Sequence, residues 1–183
     1  MPMLLQCVCG APAPLWPAEL LPGLPVQACE TCHGSLVSLD DYRQWLEGRP
    51  ESPQPEPSDR PVTTHSTPAR ACPRCTRLME RLRVSHEPDF RLDRCVGCQC
   101  VWLDAGEWPA LVDAGLALRL NEVLADGWQR RVREEVVHHR REDELRARHG
   151  DACVDDLIRI RAWLHSQPAA QRETLLLLLR SGW

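Results

Sequence analysis

The stretch from Cys72 to Cys98 reads CPRCTRLMERLRVSHEPDFRLDRCVGC and decides the fold. Its two cysteine pairs, Cys72/Cys75 and Cys95/Cys98, have the arrangement C-x2-C-x19-C-x2-C, a spacing typical of structural zinc sites. Each pair forms a turn that directs two thiolates at one ion, and two such turns complete a tetrahedron. Four soft sulfur ligands favour zinc, with iron as the second choice. We therefore predict that these four cysteines hold a structural zinc ion.

The residues between the two pairs predict a β-hairpin with the metal at its base. Apolar and charged residues alternate in 82–84 (LRV) and in 90–92 (FRL), on either side of Glu87-Pro88-Asp89. Four thiolates around one Zn²⁺ leave a formal charge of −2, which calls for nearby donors or cations. Four arginines beside the pairs are candidates for that role, with phosphate binding as their alternative role: Arg70, Arg74, Arg77 and Arg94.

The segment before this stretch repeats its cysteine pattern at an offset of 66 residues. Cys9, Cys29 and Cys32 fall on Cys75, Cys95 and Cys98, so the same x19 interval separates the inner cysteines. The opening pair, Cys7-Val8-Cys9, is one position shorter than C-x2-C. We predict a second zinc site at Cys7, Cys9, Cys29 and Cys32, and hence two zinc ions per chain. Two alternatives stay open: His33 replaces Cys7, or this copy has lost its metal.

The composition divides the chain into four parts. Residues 1–48 and 70–115 carry the two copies, and the proline-punctuated segment 49–69 between them predicts a disordered linker. Residues 116–183 predict helices, with good helix formers to about His149 that are broken at Gly127, a stop at Gly150, a second helix to about His165 and a last one to Arg180. The predicted fold class is therefore small four-cysteine zinc-ribbon modules, each a β-hairpin, in tandem, followed by an α-helical region.

Acidic and hydroxyl side chains follow the closing pair of each copy. Asp104 and Glu107 have the D-x-x-E spacing of a capping box ahead of an apolar helix, and Ser38 and Asp41 occupy the equivalent positions. We predict that Asp104 caps a helix beginning near Ala105, and that these residues are not an acid–base pair. The two cysteines outside the pattern, Cys100 and Cys153, are predicted to be small buried apolar residues.

The stretch 71–112 resembles the TFIIB-type zinc ribbon family of bacterial proteins. The resemblance rests on the two C-x2-C pairs, on Leu78, on Asp93-Arg94 before Cys95, and on the motif VWLDAGE at 101–107. It implies zinc ligands at Cys72, Cys75, Cys95 and Cys98, and motif positions at Trp102, Asp104 and Glu107. The family usually has glycine where Cys100 stands. The first copy keeps Gly34 but not the tryptophan motif.

Composition and charge limit the function classes. The N-terminus lacks a secretory signal pattern, so we expect a cytoplasmic protein, and in that reducing compartment paired cysteines are more often metal ligands or redox groups than disulfides. The longest apolar run is Leu175 to Leu179, too short for a membrane span. We predict a zinc-binding module that is not catalytic, because four cysteines close the coordination shell. We expect it to bind a protein partner. The net charge of −4 disfavours the first alternative, nucleic-acid binding or a transcription-linked role. A thiol redox or zinc-release switch is the second alternative.

Overall fold

The computed structural model describes residues 5–10, 13–48 and 70–181. The predicted linker 49–69 lies outside these ranges. The chain divides into two compact units, Met1–Arg133 and Glu134–Trp183. This division differs from the predicted boundaries, which separated residues 1–48 from 70–115 and began the helical region at 116.

The first unit contains one six-stranded antiparallel sheet with helices. Its elements are β1 (Trp16–Leu21), β2 (Leu24–Ala28), β3 (Ser35–Ser38), α1 (Leu39–Glu47), β4 (Glu80–Ser85), β5 (Phe90–Cys95), β6 (Cys100–Leu103), α2 (Glu107–Asp113), α3 (Leu120–Val123) and the start of α4 (Asp126–His149). The strand order is β1-β2-β3-β6-β5-β4. The predicted hairpin is therefore β4–β5, and each half of the sheet comes from one of the two cysteine-containing segments.

The pairing of β3 with β6 joins the two segments. Leu36 lies opposite Trp102 in this pair, and Val37 lies opposite Val101. Leu36 and Trp102 are separated by the same offset in the numbering that aligns Cys9 with Cys75. Because the two segments share backbone hydrogen bonds at the middle of the sheet, they form one body and are not two separate modules.

Both faces of the central strands are buried. Val101 and Leu103 of β6 pack on the side of α1, α2 and α3 with residues such as Tyr42, whereas Cys100 and Trp102 point to the other face, among the cysteines. Successive side chains of a strand alternate between faces, so one short strand serves both clusters. This arrangement places the cysteine-rich cluster directly against the sheet.

Residues after α2 complete the first unit. Leu120 and Val123 of α3 are fully buried in the helix-side core. The hydroxyl of Tyr42 on α1 donates to the carbonyl oxygen of Ala117 at 2.8 Å and accepts from the amide of Leu120 at 3.2 Å. These long-range contacts explain why the unit extends past the predicted boundary at residue 116.

The second unit is helical, as the sequence predicts. It comprises α4 from Glu134 onward, α5 (Asp151–Ser166) and α6 (Ala169–Ser181). Gly150, with φ of +84°, separates α4 from α5, while Gly127 lies within the first turn of α4 and does not break it. Within the ranges that the structure describes, no helix is both long and apolar enough to cross a bilayer.

Candidate metal centres

The structure brings together the four cysteines of the second segment. The sulfur atoms of Cys72, Cys75, Cys95 and Cys98 all lie within 4.8 Å of one another, and those of Cys75 and Cys95 are 3.6 Å apart. A tetrahedral zinc ion with Zn–S bonds of about 2.3 Å would place its sulfur ligands roughly 3.8 Å apart. The donor set and its spacing therefore fit a four-coordinate zinc ion.

The first segment forms an equivalent group despite its shorter opening pair. Cys7, Cys9, Cys29 and Cys32 also have sulfur atoms within 4.8 Å of one another, with 3.6 Å between Cys7 and Cys32. The amide of Cys7 donates to the carbonyl oxygen of Ala13 at 2.8 Å, which ties the opening turn back on itself. Cys7 thus reaches the group, and the four thiols are assembled without His33.

All four cysteine turns share one backbone feature. The residue after the second cysteine of each pair has positive φ: 87° at Gly10, 57° at His33, 60° at Thr76 and 49° at Gln99. This left-handed residue follows the last cysteine of each turn, and within the turns of the second group backbone amides face sulfur atoms. The amide of Arg74 donates to Cys72 Sγ and that of Cys98 to Cys95 Sγ, each at 3.4 Å. Only Gly10 hinted at this conformation in the sequence, because the other three are not glycine.

Clustering shifts the thiol pKa values in opposite directions. Hydrogen bonds from the backbone at Arg77 and from neighbouring thiols lower the pKa of Cys75 to about 7. Burial acts to raise the pKa of Cys29, but backbone and thiol hydrogen bonds outweigh it and lower that pKa to about 7. Burial strongly raises the pKa of Cys7, and hydrogen bonding with Cys75 raises that of Cys98. Thiols this close cannot all ionise without a compensating cation, which a divalent metal ion supplies.

The arginines beside the second group bind carboxylates and carbonyls. Arg70 donates to Asp104 at 2.7 Å, and Arg94 donates to Glu80 at 2.8 Å and to the carbonyl oxygen of Leu124 at 2.9 Å. Arg74 and Arg77 have exposed side chains. Arg70 and Arg94 therefore bind groups other than the thiolates, whereas the counter-charge role of Arg74 and Arg77 stays a prediction. Backbone amides of Arg74 and Cys98 donate to two of the sulfur atoms.

Asp104 differs from its predicted role as a helix cap. Helix α2 begins at Glu107, after Gly106 with φ of +91°, and no side chain caps it. The carboxylate of Asp104 accepts from the indole Nε1 of Trp102 at 2.8 Å and from Arg70, so it is directed away from the helix. Glu107 Oε2 accepts from the amide of Asp104 at 2.7 Å, which is the half of the capping box expected of that residue.

In the first segment a hydroxyl occupies the cap position. Ser38 precedes α1, and its Oγ accepts from the amide of Asp41 at 3.3 Å. Serine is a favoured N-cap because its short side chain reaches the free amides of the first turn. The two segments thus begin their helices differently, although the sequence predicted the same device for both.

Glu107 is the most strongly perturbed carboxyl group beside the second site. Its pKa is raised to about 8, chiefly by burial; the hydrogen bond from the Asp104 amide lowers the pKa, and the nearby Asp104 and Asp93 carboxylates raise it by smaller amounts. Burial also raises the pKa of Asp93, although Arg81 and Arg70 lower it. Asp93, Asp104 and Glu107, together with Arg70, link β5, the end of β6 and α2 through charge-assisted bonds. This cluster is a structural support for the Trp102 side chain.

The two remaining cysteines have different surroundings. Cys100 is fully buried, as predicted, with its sulfur 3.8 Å from that of Cys72. Cys153 lies on α5 and is exposed, so the prediction that it is buried is wrong. The second unit buries few of its residues, and helical position alone did not reveal this. Across the ranges that the structure describes, the two four-cysteine groups are the metal-ligand clusters found.

Comparison with known proteins adds no relative to this description. No family model, no curated protein and no solved structure matches the chain. The likeness of residues 71–112 to TFIIB-type zinc ribbons stays a prediction from sequence motifs.

Proposed function

We propose that this protein is a non-catalytic zinc-binding protein in which two structural zinc ions hold the first unit together and the folded chain engages a protein partner. One observation carries the proposal: two separate groups of four cysteine sulfur atoms, each within 4.8 Å, lie against the same sheet. Structural zinc sites are closed shells of four ligands, and small domains of this kind depend on the ion for folding.

We further propose that the two halves are diverged zinc ribbons of the TFIIB type. The four similar cysteine turns support this interpretation, as does the pairing of Leu36 with Trp102 at the offset that aligns the cysteines. An antiparallel pair centred on two equivalent positions is what a duplicated module produces when its copies meet about a two-fold axis. We thus propose that the chain is a bacterial protein of the TFIIB-type zinc ribbon family.

A catalytic role has less support. A catalytic zinc keeps a coordination position for water, whereas four thiolates leave none. Asp104 and Glu107 have neighbours that explain them structurally, since Asp104 binds Arg70 and Trp102 and Glu107 binds a backbone amide. We therefore assign these carboxyl groups to stability.

A protein partner is favoured over nucleic acid because acidic groups already engage the arginines of the β4–β5 hairpin. Asp89 lies 3.1 Å from Arg83 and 2.9 Å from Arg91. Arg94 pairs with Glu80 at 2.8 Å. Phosphate binding would have to break these ion pairs, and the salt-dependent attraction of a basic surface for nucleic acid is reduced accordingly.

Cobalt(II) titration of the metal-free protein tests the zinc proposal. Tetrahedral thiolate coordination gives cobalt a characteristic visible spectrum, and we expect it to saturate at two equivalents per chain, with zinc displacing the cobalt. Cys153→Ser, at the exposed cysteine outside both groups, is the matched control and should also saturate at two equivalents.

Cys29→Ser should remove at least one of these equivalents, because it deletes a ligand of the first group. Loss of both would mean that the shared sheet couples the two sites. A variant that still binds two equivalents with the thiolate spectrum would contradict the proposal. Elemental analysis of the purified protein gives the native metal, and iron in place of zinc would also contradict it.

A further inference from the structure

The second unit, Glu134–Trp183, exposes most of its apolar side chains. Among its described residues only Val154 and Leu164 are buried. Ten large apolar residues are 37% to 65% exposed: Val137, Leu145, Leu157, Ile158, Ile160, Trp163, Leu176, Leu177, Leu178 and Leu179. Large exposed apolar patches are rare on soluble proteins and mark interaction sites.

Seven of these ten side chains belong to two features of the second unit. An open groove of about 630 Å³ runs between α4 and α5, with Leu145, Leu157 and Ile158 among its apolar lining and Arg141 and Arg161 among its charged lining. The second feature is α6, whose leucines continue without interruption from 175 to 179 and of which no described residue is buried. Consecutive leucines point to all sides of a helix, and a helix segment that is apolar all round is normally enclosed by protein.

We propose that this surface binds a second copy of the same chain, with the α4–α5 groove and the α6 leucines of both copies forming one shared core. The inference deepens the proposed function, on which it rests, by naming the partner.

Charge favours a second copy over other occupants. Residues 134–183 contain nine acidic and eight basic side chains, mixed along all three helices. A surface of nearly balanced, interspersed charge complements its own copy across a two-fold axis and selects no partner of one sign. Glu173, just before the leucine run, is the one acidic residue of α6 and matches the arginines that line the groove.

The first unit offers no comparable apolar surface in the ranges that the structure describes. Its exposed large apolar side chains are Trp16, Leu78 and Val96, which lie on β1, shortly before β4 and in the closing cysteine turn. These three positions belong to separate elements. The extensive apolar surface of the described chain is therefore in the second unit, and a second copy supplies a surface of the same kind.

The exposed area is sufficient for a specific dimer. The seven exposed apolar side chains of the groove and of α6, each about half exposed, offer on the order of 500 Å² of apolar surface per copy. A standard interface buries about 800 Å² per partner, of which roughly 60% is apolar. In a two-fold interface each chain uses the same patch, so both copies bury their exposed apolar surface together.

Sedimentation equilibrium of the full-length, zinc-loaded protein between about 1 and 100 μM tests the inference. We expect a species of twice the 20.8 kDa chain mass. Leu157→Glu should weaken the association at least tenfold, because it places a charge in the shared core. Ala152→Glu is the matched control: it adds the same group to an exposed position of α5 about 140° around the helix from Leu157 and about 120° from Ile158, and should leave the association unchanged.

Two results would overturn the inference. One is a chain that stays monomeric at the top of this concentration range with its helical circular dichroism intact, and the other is a Leu157→Glu protein that associates like the wild type. If Leu157→Glu loses its helices, the wild type still decides the question: the melting temperature of a self-associated unit rises with protein concentration. A melting temperature independent of concentration would overturn the inference.

Zinc content, measured on the same samples, separates the two proposals. A monomer that holds two zinc ions would overturn the self-association and leave the proposed function standing. A dimer without zinc would overturn the proposed function and leave the self-association standing.

Discussion

Replacing Gly34 with alanine tests the packing at the β3–β6 joint. A Cβ atom at this position would lie 2.4 Å from Cζ2 of Trp102, 2.9 Å from its Cε2 and 3.2 Å from the carbonyl oxygen of Leu103. Carbon atoms pack at about 3.5 to 4.0 Å, so the indole ring has to move by roughly 1 Å. The ring is 1% exposed and its Nε1 donates to Asp104 at 2.8 Å, so it has little room to move.

Three effects set the expected magnitude. Overpacking a well-filled core costs about 1–3 kcal/mol, and displacing the indole from Asp104 costs about 1 kcal/mol more. Restricting the unfolded chain returns about 0.5–1 kcal/mol, because alanine has less backbone freedom than glycine. We expect Gly34→Ala to lower the free energy of unfolding by about 2 kcal/mol.

Urea unfolding of the zinc-loaded protein measures this change. Gly127→Ala is the matched control, because a Cβ at Gly127 in α4 meets nothing within 4 Å; it should stabilise the protein by about 0.5–1 kcal/mol. In a Trp102→Leu background the cost of Gly34→Ala should shrink, since leucine leaves space for the added methyl group. A Gly34→Ala protein as stable as the wild type would refute this account of the joint.

Substitutions at two further positions test the polar contacts of the first unit. Burial raises the pKa of Glu107 from 4.5 to about 8, so the folded protein holds an extra proton in that window and its stability should fall as the pH rises from about 5 to 8. Glu107→Gln should flatten this part of the stability profile measured by urea unfolding, and a Gln variant with the wild-type slope would contradict the pKa shift. Gln129 bonds the amide and carbonyl of Arg83 at 3.0 and 2.9 Å and so covers the outer edge of β4. Gln129→Ala should lower the free energy of unfolding by about 2 kcal/mol. Gln129→Glu keeps the acceptor but loses the donor, so it should also be destabilising, and unchanged thermal melts of both variants would exclude this role.

Local features of this chain were predictable from its residues. The C-x2-C spacing predicted the second group of four thiols, and the repeat of that pattern predicted the first, because each cysteine turn depends on a few adjacent residues. The alternation of 82–84 and 90–92 located the β4–β5 hairpin, and Gly150 located the break between α4 and α5. Each of these features depends on interactions within one short segment, which sequence patterns record directly.

Tertiary structure alone decided how the segments combine. No local pattern shows that β3 pairs with β6, because that register depends on side chains from distant segments, such as the indole of Trp102 lying over Gly34. The same holds for Asp104, which satisfied the spacing of a cap but binds Arg70 and the Trp102 indole. Among competing hydrogen-bond partners, the geometry of the folded chain selects the pair, and that geometry is set by burial of surfaces far apart in the sequence.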